Sequence, residues 1–173
     1  MKKIALMSSL IIIGFIFQTS FIGLFNLFEV TPNITLILLV IFAILSDGLT
    51  GGILGLMTGI MFDVMIYDIF GVYTLIYFFI GVVIGSFSDD MLRENYIAYS
   101  TVTGISTIVM HICLYLILFF LRFRVHLAVN ILPGIIIEAI INSLLVILIL
   151  KIVMYLFDRF NLKAWGVNFV KVF

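Results

Sequence analysis

Two carboxylates in the middle of apolar stretches are the residues of this sequence best placed to do chemistry. Asp63 and Glu138 each have aliphatic or aromatic neighbours on both sides. A carboxylate near the centre of a lipid bilayer costs roughly 2.5–3.5 kcal/mol on insertion scales, so an acid at that depth must face protein or water. Three roles are therefore open to both acids: hydrogen bonding to a neighbouring helix, binding of a substrate or proton, and contact with a partner protein.

Both acids belong to stripes of residues spaced four apart, which lie on one face of a helix. Glu138 lies between Gly134 and Asn142, whereas Asp63 ends a run of three glycines. Two more glycines repeat the spacing on the next apolar segment. Missing side chains let a second backbone approach closely, which is how helices associate where lipid gives no hydrophobic drive. We therefore predict a tight helical hairpin packed through Gly51, Gly55, Gly59, Gly81 and Gly85.

The usual catalytic and metal-binding patterns are not found in the sequence. His111, Cys113 and His126 do not have the spacing of a metal site, and the glycine run lacks the lysine and the serine or threonine of a phosphate-binding loop. Two acids on different helices are also typical of aspartyl intramembrane proteases, but the residues beside Asp63 and Glu138 do not match those enzymes. We expect no enzymatic activity, metal ion or cofactor. The expected buried polar residues, with structural or partner-contact roles, are Asp63, Glu138, Asn142 and Gln18.

The composition places these residues in a membrane. Hydrophobic residues make up 65 % of the 173 residues and charged residues 10 %, and the mean hydropathy is +1.39. A water-soluble domain of this length cannot bury so much apolar surface, so an all-α integral membrane protein is predicted. The formal net charge is +0, which gives no support to nucleic-acid binding, since that needs a basic surface. A single cysteine excludes an internal disulfide.

Six apolar segments form one predicted transmembrane domain over residues 1–173. The first segment resembles a signal peptide, but it is too long and no cleavage site follows it, so we expect it to be retained. Gln18 lies in this segment, where it either hydrogen-bonds to another helix or lines a pocket. Thr31 is expected to cap the second helix, with Pro32 in its first turn. The predicted six-helix bundle has spans at about 4–28, 33–47, 51–67, 71–87, 97–121 and 131–157.

The distribution of basic residues favours a topology with both termini in the cytoplasm, because cytoplasmic loops are enriched in lysine and arginine. If the second and third segments are merged into one span, four basic residues lie inside and five outside. With six spans, seven basic residues lie inside and two lie outside. The seven are Lys2, Lys3, Arg93, Lys151, Arg159, Lys163 and Lys171, and the two are Arg122 and Arg124.

The segment from about residue 30 to 90 resembles the rod shape-determining protein MreD family. The pattern of that family is a proline–asparagine pair that opens a span, a glycine-rich helix ending in aspartate, a loop glycine, and an apolar span ending in glycine. Elsewhere the resemblance rests on size, on the number of spans and on the helix with Pro133, Glu138 and Asn142. The matching positions are Pro32, Asn33, Gly51, Gly55, Gly59, Asp63, Gly71, Gly81 and Gly85.

The resemblance implies a non-enzymatic, multi-pass protein of the bacterial cytoplasmic (inner) membrane that works in the cell-elongation (rod) complex. MreD-like proteins are partners of MreC. Together with MreB filaments, RodA and the elongation transpeptidase, they build lateral peptidoglycan and maintain rod cell shape. The resemblance also implies a fold similar to the S-components of energy-coupling-factor transporters, which are small six-helix membrane proteins.

The alternative interpretation is a substrate-binding membrane subunit of a vitamin-type small-molecule transporter. Short, glycine-interrupted apolar segments can mark a transport site, and Asp63 and Glu138 would be its polar groups. S-components usually carry an Ala-x3-Ala patch in the first helix that docks the coupling subunit. The nearest match here, from Ala5 to Ser9, is poor. A structural membrane subunit outside both families is a third alternative.

Overall fold

In the computed structural model, the described residues are 2–21, 30–65, 69–88, 95–122 and 131–160, and they contain six α-helices. The all-helical class predicted from the sequence is confirmed. The helices are α1 (Lys2–Phe21), α2 (Ile34–Ile44), α3 (Gly48–Met65), α4 (Val72–Ser86), α5 (Tyr96–Phe120) and α6 (Ile131–Arg159).

The start of α2 corrects one prediction. Thr31 is not the cap of this helix. Asn33 is the cap, because its Oδ1 accepts the backbone N–H of Leu36 at 2.9 Å. Pro32 therefore precedes the helix instead of occupying its first turn. The chain leaves α2 after Ile44, three residues before the predicted end of the span. The predicted ends at 28 and 67, and the tail from 161 onward, lie outside the described residues.

Four helices, α1, α3, α5 and α6, are long and apolar enough to cross a membrane, by length and composition. The other two are shorter: α2 has 11 residues and α4 has 15. At a rise of ~1.5 Å per residue they extend about 16 and 22 Å, less than the ~30 Å hydrocarbon core. A helix end can lie at membrane depth only where protein or water satisfies its backbone groups. The capping contacts at the starts of these two helices are therefore central to the fold.

The central helix of the bundle is α2. It packs against all five other helices, and every residue from Thr35 to Ile44 is buried. A helix that is apolar on all sides is typical of such a position. The outer helices expose aliphatic stripes away from α2, for example Leu49, Ile53 and Ile60 on α3. These stripes are suited to contact with lipid acyl chains.

Contacts between helix ends show that the first four helices alternate in direction. The Lys3 ammonium donates to the carbonyl of Leu45 at 2.9 Å, and the Ser88 hydroxyl donates to the carbonyl of Ser46 at 2.9 Å. The start of α1, the turn from α2 to α3, and the end of α4 therefore share one end of the bundle. The opposite end holds the starts of α2 and α4.

Candidate functional site

The α3 and α4 helices contact each other backbone to backbone. At each of five glycines, an added Cβ atom would lie too close to backbone atoms of the facing segment. At Gly55 the overlap is with the carbonyl group of Tyr77, whereas Gly51 and Gly81 face each other. Such an approach leaves no room for a side chain, which is the role of small residues in membrane helix packing. The five are Gly51, Gly55, Gly59, Gly81 and Gly85.

Asp63 caps the start of α4. It is 2 % exposed. Its Oδ1 accepts the backbone N–H of Tyr73 at 2.9 Å, and its Oδ2 accepts the backbone N–H of Thr74 at 2.9 Å and the Thr74 hydroxyl. These N–H groups belong to the first helical turn, where no intrahelical acceptor is available. Gly71, which precedes α4, provides no side-chain cap. The α3 helix therefore supplies the cap, and a carboxylate there is also favoured by the helix dipole.

Gln18 has a comparable role at the start of α2. Its Oε1 accepts the backbone N–H of Thr35 at 3.0 Å and the Thr35 hydroxyl at 2.9 Å. Together with Asn33, it satisfies two N–H groups in the first turn of α2. Gln18 also borders an apolar groove between α1 and α6. Gln18 therefore hydrogen-bonds to a neighbouring helix and also lines a pocket, the two alternatives that the sequence left open.

Asn142 lies at the middle of a hydrogen-bonded cluster that crosses the bundle interior. This fully buried side chain accepts the backbone N–H of Asn33 at its Oδ1, at 3.0 Å, and donates from Nδ2 to the Thr107 hydroxyl, at 3.1 Å. Asn33 in turn donates from its own Nδ2 to the Tyr77 hydroxyl at 2.9 Å. The cluster therefore connects the start of α2 with α4, α5 and α6. Buried polar groups of this kind are costly unless each has a partner.

Glu138 extends the same cluster toward α5. Its Oε2 lies 2.8 Å from Nε2 of His111, and the two side chains are 13 % and 24 % exposed. Asn142 donates to its Oε1 at 3.5 Å, a long and weak hydrogen bond. The spacing of His111 argues against a metal site, and nothing in the sequence pairs this residue with Glu138. Because the two residues are on different helices and 27 positions apart, only the fold brings them together.

The hydrogen bonds of these residues join helices to one another. Asp63 bonds to the start of α4, whereas Glu138 bonds to His111 and Asn142, so each acid has its own set of partners. Within the residues that the structure describes, no group of three or more histidine, cysteine, aspartate or glutamate side chains could hold a metal ion. What the site can do is fix the relative positions of the six described helices.

A model of the family described as rod shape-determining protein MreD matches residues 1–156 of this chain. The match covers all of the described helices except the last three residues of α6. No curated protein and no solved structure matches the chain.

Proposed function

This chain belongs to the MreD family of rod shape-determining proteins, and we propose that it is a non-enzymatic membrane component of the bacterial cell-elongation complex. In this role it is a partner of MreC and, through MreC, of MreB, RodA and the elongation transpeptidase. It supports lateral peptidoglycan synthesis and resides in the cytoplasmic membrane. The family match over residues 1–156 is the observation that carries the proposal.

The interior contacts support a structural role. Asp63 and Gln18 are bound to the starts of helices on neighbouring segments, and Glu138 and Asn142 bond across the centre of the bundle. A bundle fixed in this way presents constant outer faces to partner proteins and lipid. Nothing in these contacts requires a substrate.

The transporter alternative gains no support from these observations. A site for a vitamin-type substrate needs convergent polar groups that can bind it. In the described part of the interior, the polar side chains of the Asn142 cluster bond to one another. The groove between α1 and α6 is lined almost entirely by apolar residues. We therefore do not propose a transport function.

The proposed topology has six spans with both termini in the cytoplasm. It is supported by the alternating helix directions and by the excess of basic residues at one end. Reporter domains fused at Asp90 and at the C-terminus are both expected to report a cytoplasmic location, and one inserted after Arg122 an external location. An external C-terminus would rule out the six-span arrangement.

Complementation in a host depleted of its own copy of this protein tests the proposed function. Expression of the chain is expected to restore rod-shaped cells, and a tagged copy is expected to co-purify with MreC from detergent extracts. An unrelated multi-pass protein with the same tag and membrane level is the control and should do neither. Round cells and an eluate without MreC, at normal membrane levels of the chain, would refute the proposal.

A further inference from the structure

We draw no further inference here: the strongest candidate, the apolar groove that α1 and α6 form over α2, carries nothing, because nothing in the structure shows what covers it.

Discussion

Gly55→Ala is expected to destabilise the protein, although alanine has a higher helix propensity than glycine by about 1 kcal/mol. The added Cβ overlaps the carbonyl group of Tyr77, and backbone atoms can yield only if α4 moves as a whole. Overpacking of this kind typically costs about 1–3 kcal/mol, which outweighs the gain in propensity. Leucine at Gly55 or Gly59 must separate the two helices further. We expect lower melting temperatures in detergent and weaker co-purification with MreC.

Gly134→Ala is the matched control for this prediction. A Cβ atom at Gly134 would meet only the side chain of Val30, at 3.9 Å, an ordinary contact. The variant is therefore expected to melt at or slightly above the wild-type temperature. Leu56→Met, at a position of α3 that is 38 % exposed and outside the glycine stripe, should also be neutral. Wild-type stability and MreC binding in both Gly55→Ala and Gly59→Leu would mean that α3 and α4 do not touch in the protein.

The main features of the helices could be predicted from composition and periodicity. Apolar segments of sufficient length, separated by short polar stretches, predict helices, and the described helices begin within three residues of the predicted starts. Gly51, Gly55 and Gly59 lie on one face of the helix, because a spacing of four residues is close to the ~3.6 residues of one helical turn. The structure places that face against α4. The end of α2 was harder to predict: the Asp47-Gly48 turn signal marks the connection to α3, but the helix already ends at Ile44.

The partners of the polar residues could not be predicted from the sequence. Spacing alone indicates that Asp63 continues the glycine face, but its bonds to the start of α4 depend on how the hairpin closes. Tyr77 and Thr107 were missed because a single tyrosine or threonine in an apolar helix gives no distinctive signal. Asn33 did carry a usable signal, since asparagine is a preferred cap directly before a helix. The pair Pro32-Asn33 also matches a family motif, and the neighbouring Thr31, another common cap residue, is the predicted cap.

Glu138→Leu is expected to weaken the bundle, whereas Glu138→Gln is expected to be tolerated. Leucine removes the group that joins His111 on α5 to α6 and leaves the partly buried imidazole without this partner, which costs about 1 kcal/mol, the lower end of the range for a buried group. Glutamine keeps the length of the side chain and an acceptor oxygen. Melting temperatures in detergent should therefore fall for the leucine variant and stay near the wild-type value for the glutamine variant. Ile136→Leu, at an exposed position of α6, is the control and should be neutral.

Cell shape tests most directly whether Glu138 holds helices together without taking part in chemistry. The measurement is the shape of cells depleted of the wild-type protein and expressing Glu138→Gln at wild-type membrane levels. Because the variant keeps a hydrogen-bonding group beside His111 but has no charge or titrating proton, rod-shaped cells are predicted. Round cells at normal membrane levels would contradict the structural role, since function would then require the charge or the proton of Glu138.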